Sequence, residues 1–238
     1  MKVDVYGAIF YDIYIYGDEP HNSKIIEVPG GSGFNIAYLL YKLGYEINFK
    51  GFLGNDYKGE YLKRIIPFHP EVKNEKTAVF ISKNDIPIAV ERKINESEYN
   101  DLRKNADIAI ITTEISKEEL KRIEKLNYKK VFFDIGPRPF ISNGIFEKAF
   151  IIGTENECKY RKCDVIKIGE KGVIYKKKIF SSNKKIANYK IGLGDIFDGL
   201  FIDNYLKRKS IESSIINAIK RLEKVLDMPT AYNKIKAL

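Results

Sequence analysis

Gly192-Leu193-Gly194-Asp195 combines two glycines with a carboxylate, and the apolar residues Ile196, Phe197, Leu200, Phe201 and Tyr205 follow at helical spacing. The spacing predicts a helix from about Gly194, with Asp198, Asp203 and Asn204 off its apolar stripe. The first N–H groups of a helix lack intrahelical partners and carry the positive end of its dipole, so a turn bare of side chains there can hold an anion. A carboxylate would repel a phosphate at that spot, and Asp195 suits instead a base aimed at an incoming hydroxyl. The same four residues also suit a plain turn with an N-cap aspartate, and alone they leave both readings open.

A second glycine-rich stretch, Val28-Pro29-Gly30-Gly31-Ser32-Gly33-Phe34-Asn35, precedes an apolar helix over residues 36–43 that closes on Gly44. Such a loop lets a ligand touch backbone, and Asn35 can both donate to and accept from a hydroxyl. The spacing is neither a Walker A motif nor a dinucleotide fingerprint, which disfavours a dinucleotide-binding oxidoreductase. Ahead of it, the apolar run from Val3 reads as a strand reaching Asp12, and the carboxyl end of a first strand is where open α/β sheets place ligand contacts. Asp12 equally suits a strand-end cap.

These residues need a sheet and helices to position them. Residues 47–52 read as a strand, 108–111 and 131–133 as buried parallel strands around a helix over 117–126, and Ser210 as the start of a final helix striped by Ile211, Ile215, Ile219, Leu222 and Val225. Residues 77–81 and 86–93 read as a hairpin turning at Asn84-Asp85. Lys176-Lys177-Lys178 and Lys184-Lys185 look like solvated hairpin ends. No internal repeat or low-complexity linker divides the chain.

Gly30-Gly31 with Asn35, the Leu43-Gly44 helix end, and Gly54-Asn55-Asp56 with Gly59 resemble the first signature of the ribokinase-like (PfkB) carbohydrate kinases. Gly192-Leu193-Gly194-Asp195 with Phe197 and Gly199 resembles the second, in the family's order and near its separation. The resemblance implies a single α/β domain over residues 1–238: a mostly parallel central sheet flanked by helices, with a small β lid from about 14–28 and 77–95. It implies ATP- and magnesium-dependent phosphoryl transfer to a hydroxyl of a sugar or sugar derivative. Asp195 matches the catalytic base, Gly192, Leu193 and Gly194 the anion hole, and Asp12, Gly30, Gly31 and Asn35 the acceptor-binding residues. Glu157, within Thr154-Glu155-Asn156-Glu157, matches the acid tied to magnesium, and Gly169 and Gly172 are matched as nucleotide contacts along with Gly194. The family also implies a possible lid-to-lid homodimer. Tyr189-Lys190-Ile191 replaces the family's Asp-Thr-Thr, which argues against potassium activation, Thr154 stands in place of Asn, and Phe10 replaces a polar residue near the acceptor.

Composition bounds the alternatives. The chain has 238 residues, 44% hydrophobic and 31% charged, and offers no signal peptide or membrane span, so a cytoplasmic, soluble protein is expected. With 41 basic and 32 acidic residues the net charge is +9, yet the lysines are scattered, which suits attraction of anionic small molecules better than a nucleic-acid arm. Abundant Lys, Glu, Ile and Tyr without Trp hints at a thermophilic source. Cys158 and Cys163 read as reduced thiols, and with His21 and His69 they make no zinc set. A nucleoside kinase of the same fold, motivated by Phe10, Tyr11, Tyr14 and Tyr16, and a binding protein that has lost catalysis stand as alternatives.

Overall fold

The computed structural model describes residues 1–182, 186–208 and 210–238; Lys184 and Lys185 lie outside them. In chain order the first elements are β1 (Lys2–Tyr6), β2 (Phe10–Tyr16), β3 (Lys24–Gly30), α1 (Ser32–Lys42), β4 (Glu46–Lys50), β5 (Phe52–Gly54), α2 (Tyr57–Ile65), β6 (Glu71–Lys73), β7 (Val79–Lys83) and β8 (Ile86–Glu91). They continue with β9 (Ile108–Thr112), α3 (Lys117–Glu124), β10 (Lys130–Asp134), β11 (Phe150–Thr154), β12 (Val165–Lys167), β13 (Val173–Tyr175), β14 (Lys178–Phe180), α4 (Leu193–Arg208), α5 (Ile211–Leu222) and α6 (Ala231–Ala237).

An eight-stranded sheet runs in the order β14-β13-β12-β11-β10-β9-β1-β4. Its pairs are parallel from β12 to β4, and β13 and β14 add an antiparallel edge. Successive side chains alternate faces. Val3, Val5, Ile110, Phe132, Ile152 and Val165 join a core with α1, α4, α5 and α6 on one side. Tyr6, Ala109, Ile111, Phe133 and Ile151 join another with Leu120 and Ile123 of α3 on the other side. Burial on both faces explains why these strands read as continuous apolar runs.

The strand expected from Val3 to Asp12 is two strands. A Cβ on Gly7 would lie 2.7 Å from the Gly33 backbone, so the chains cross there at glycine-only distance, and β2 leaves to join a four-stranded sheet of order β3-β2-β7-β8. Asp12 therefore sits inside a strand of this small sheet and not at the end of the first strand. The β7–β8 turn has Asn84 and Asp85 at φ 48° and 61°, as a two-residue hairpin requires. The 47–52 strand also divides, into β4 and β5, and β5 pairs with β6.

Three further expectations are corrected. α4 has no polar face: Asp198, Asp203 and Asn204 are all buried, because α1 and α5 flank the helix above the sheet. Asp203 is satisfied there by Tyr45 (3.1 Å), Lys207 (2.6 Å) and Arg221 (3.4 Å). The helix begun at Ser210 is followed by α6, capped by Thr230. Cys158 and Cys163 form a disulfide, since the turn after β11 brings their Cα atoms to 5.7 Å. Among the described residues no helix is long and apolar enough to cross a membrane.

Candidate active site

Six parallel strands present their carboxyl ends on one side, and the sheet grows in opposite directions from the β1–β9 boundary, which creates a crevice there. Glu114, two residues beyond β9, fills its floor. Its carboxylate accepts the N–H groups of Ala8 (3.1 Å), Ser32 (2.8 Å) and Gly33 (2.9 Å) and the Thr112 hydroxyl (3.0 Å). One side chain thus ties the turn after β1 to the glycine-rich loop at the start of α1. Burial pushes Glu114 up to about 7, against the backbone hydrogen bonds that favour its charge.

Pairing of β2 with β3 sets Asp12 against the same loop. A Cβ on Gly30 would lie 1.8 Å from Asp12 Oδ2, so the carboxylate occupies the space that glycine leaves. Gly31 has φ 98°, a conformation suited to glycine. Asp12 Oδ2 accepts the Tyr14 hydroxyl at 2.9 Å, whereas Oδ1 is buried without a hydrogen-bond partner, as is Asn35 Oδ1. Burial, with the nearby Glu114 and Asp195, holds the Asp12 carboxyl well above the usual range. Buried polar atoms left unfilled are costly, and two of them around one loop mark a place for a polar ligand.

The other hand of Asn35 crosses the crevice: its Nδ2 donates to Asp195 Oδ2 at 2.7 Å. Asp195 stands on the first turn of α4, partly buried, directly after Gly192, Leu193 and Gly194. Gly192, at φ 80°, lets the turn pass close to α6, where a Cβ would meet Ala231 at 2.3 Å. Lys234 of α6 is fully buried and donates to the Ile191 carbonyl at 3.0 Å, so an ammonium group braces the turn where Tyr189 and Ile191 depart from the resembled signature. Burial lowers Lys234 to about 8. Burial also raises the Asp195 carboxyl, with Asp134 adding and Asn35 and Lys167 opposing.

Behind Gly194 lies a buried charge cluster. Lys167 Nζ sits 2.6 Å from Asp198 and 3.6 Å from Asp134. Burial works against its charge, but the two carboxylates more than offset this and raise its pKa. Asp134 Oδ1 also accepts the Gly136 N–H at 3.0 Å, and a Cβ on Gly136 would lie 2.4 Å from Glu157 Oε1. Glu157 is thereby placed at the same strand ends, with Oε2 accepting the Thr154 N–H at 2.6 Å. Among the described residues no group of three or more acids, histidines or cysteines is placed for a metal ion. Magnesium keeps several waters and takes one or two carboxylates beside substrate phosphates, so a single Glu157 with Oε1 beside Gly136 fits it.

A cavity of about 260 Å³ opens beside Gly194, lined by Gly169, Gly172, Val173, Phe197, Ile219 and Leu226 among others. A Cβ at Gly169 would meet nothing within 4 Å, whereas one at Gly172 would lie 2.0 Å from the Phe180 carbonyl. Gly172 therefore serves the hairpin packing of β13 and β14, and Gly169 faces open space. Glu114, Lys167 and Lys234 were not among the candidates read from sequence. A signal existed for Glu114, a carboxylate just past the apolar run 108–111, but nothing local marked it as a loop anchor.

An eight-stranded, mostly parallel sheet with helices on both faces and a small β sheet beside the crevice defines the ribokinase fold. Ribokinase from Thermotoga maritima superposes with a TM-score of 0.77 at 20% identity, covering 99% of this chain and 98% of that one. Arabidopsis thaliana ribokinase complexed with ribose and ATP gives 0.72 at 18% identity, covering 98% and 97%. The nucleoside kinase of Methanocaldococcus jannaschii, an archaeal member of the ribokinase family, gives 0.67 at 20% identity, covering 100% and 98%. At these identities the likeness is one of fold. No protein-family model matches the chain, and no curated protein does.

Proposed function

We propose that the chain is a carbohydrate kinase that transfers the terminal phosphoryl group of ATP, with magnesium, to a hydroxyl of a sugar or sugar derivative. The reading rests on one observation: Asn35 Nδ2 donates to Asp195 Oδ2 at 2.7 Å, joining a hydroxyl-binding loop to an anion-binding turn across a single cleft. The unfilled oxygens Asp12 Oδ1 and Asn35 Oδ1 receive acceptor hydroxyl protons, and the Gly30 and Gly31 backbone lets the acceptor approach. Asp195 takes the proton of the attacking hydroxyl as the oxygen moves in line onto phosphorus. The N–H groups at Gly192, Leu193 and Gly194 hold the charge developing on the phosphoryl oxygens. Gly169 and Gly172 border the cavity assigned to the nucleotide, and Glu157 would hold magnesium. Magnesium, when bound, neutralises phosphate charge.

The small sheet acts as a lid that keeps water, a competing acceptor, from the cleft. Its hairpin tip supports this: Asp85 accepts the Tyr16 hydroxyl at 3.0 Å and the Lys190 N–H, reaching the segment that leads into the anion-binding turn. Phe10, Tyr11 and Tyr14 are buried in packing, which favours a sugar over a stacked nucleobase. Two copies are proposed to join through the lid's exposed edge, β8, in the cytoplasm. The test is magnesium-dependent nucleotide consumption against a panel of sugars and nucleosides. Turnover with a sugar is expected; turnover with nucleosides alone reassigns the acceptor, and nucleotide binding without turnover on any acceptor refutes the enzyme.

A further inference from the structure

Lysines that are scattered along the chain gather at the end of the sheet opposite the crevice. A cavity of about 1060 Å³ opens there, at the amino ends of β10, β11 and β12. Strand register brings its lining together. β10 begins at Lys130, and Val165 at the start of β12 pairs with Tyr175, beside the turn at Lys176 and Lys177. The connection from β11 to β12 adds Lys159, Tyr160, Arg161 and Lys162, and the disulfide between Cys158 and Cys163 closes that segment on itself.

The charge in the cavity is one-sided. Six basic side chains line it against one acid, Asp164, whose carboxylate already accepts the Ile151 N–H at 2.8 Å. Arg161 donates to the carbonyls of Ser142, Ile145 and Phe146 and contributes its charge from a fixed position. Lys129 and Lys178, the sequence neighbours of the lining lysines, are paired with Asp107 at 2.9 Å and Glu212 at 3.1 Å. Among the described residues the five lining lysines have no ion-pair partner. Like charges held together without counter-charge favour an anion between them.

Aromatic surface lies among these lysines. Lys130 Nζ stands 4.9 Å from the centre of the Tyr205 ring and 5.5 Å from that of Phe150, Lys176 Nζ stands 5.4 Å from that of Tyr175, and Tyr160 is 57% exposed. Separate ammonium groups with an open ring suit a strand of phosphates and flat bases, because every base has a face to stack. An acidic peptide would engage the lysines and leave the ring unused. The volume lies at the upper end of the roughly 300–1,000 Å³ of small-ligand sites, which gives room for more than one nucleotide.

We propose that this cavity is a docking groove for single-stranded nucleic acid: phosphates pair with Lys159, Lys162, Lys176 and Lys177, and a base stacks on Tyr160. The groove lies at the strand ends remote from Asp195, and the proposal is independent of the kinase reading.

The experiment measures fluorescence anisotropy of labelled oligouridylate and oligothymidylate of about twelve nucleotides, within the 4–16 nucleotides that such grooves cover. Wild type is expected to bind one or both with a Kd of about 1–10 μM at roughly 50 mM salt, to release them as salt rises, and to keep them in excess ATP with magnesium. Lys162→Gln/Lys176→Gln/Lys177→Gln is expected to bind about tenfold or more weakly and to lower the slope of log K against log salt by about 2, from three phosphates at roughly 0.7 each. Tyr160→Ala is expected to lose about fivefold or more with the slope unchanged. All four substituted side chains are exposed, so thermal unfolding should match wild type and verify that the variants fold. No binding at low salt, complete displacement by ATP, or a triple variant within about threefold of wild type would overturn the proposal. Equal binding of a polyglutamate peptide, or unchanged affinity in Tyr160→Ala, would reduce the groove to charge attraction and overturn it as well.

Discussion

Asp195 is held between opposing influences: burial and Asp134 favour its proton, whereas Asn35 and Lys167 favour its charge, and the net displacement is upward. In its proposed role as base Asp195 must be ionised, so turnover is expected to fall as pH drops through its pKa. Because that pKa lies above the ordinary aspartate value, the acid limb of kcat/KM should appear above the usual carboxylate range, and the residual activity of Asp195→Asn should lack it. A limb shared by that variant would assign the titration elsewhere, to Glu114, raised to about 7, or to Asp12, also raised by burial in the same cleft. At this scale the sequence revealed the residues whose type is forced by local spacing. Gly30, Gly31, Asn35, Gly192, Gly194 and Asp195 announce themselves beside helix starts. Glu114 and Lys167 do not, because their roles come from strand order: Val165-Ile166-Lys167-Ile168 is locally a strand with one lysine, and only pairing with Thr154 brings that lysine to the cleft.

Elements were legible where the apolar pattern or the turn chemistry is local, as in the continuous apolar runs of β9 and β10. The hairpin at Asn84-Asp85 could be read because both turn residues tolerate positive φ. Spacing predicts an amphipathic α4, but Asp198, Asp203 and Asn204 are buried because Lys167, Tyr45, Lys207 and Arg221 meet the carboxylates inside the fold, which periodicity does not register. The disulfide likewise depends on a turn geometry that cysteine counting does not contain. β8 exposes Ile86, Ile88 and Val90 at 66%, 58% and 51% along the open edge of the small sheet. Unprotected apolar edges invite pairing with another chain. Under the proposed pairing of two copies through β8, Ile88→Lys is expected to shift the protein from dimer to monomer in light scattering, and a wild type that is monomeric at micromolar concentration would remove that interface.

For the whole molecule, the fold class followed from alternation of buried apolar strands with helices and from two glycine-rich signatures in order, and the parallel sheet agrees with it. What sequence order alone did not convey is convergence. Residues more than 150 positions apart, Asn35 and Asp195, meet in one hydrogen bond because β1 lies between β9 and β4 and both α1 and α4 cover the same face. The account stands or falls on chemistry at that meeting point. The most direct measurement is magnesium-dependent ATP turnover with a productive acceptor in wild type and Asp195→Asn, alongside ATP binding to each. ATP affinity should stay within about threefold while turnover falls by roughly 10²–10⁴, the range for a general base; near-normal turnover in Asp195→Asn would contradict the account.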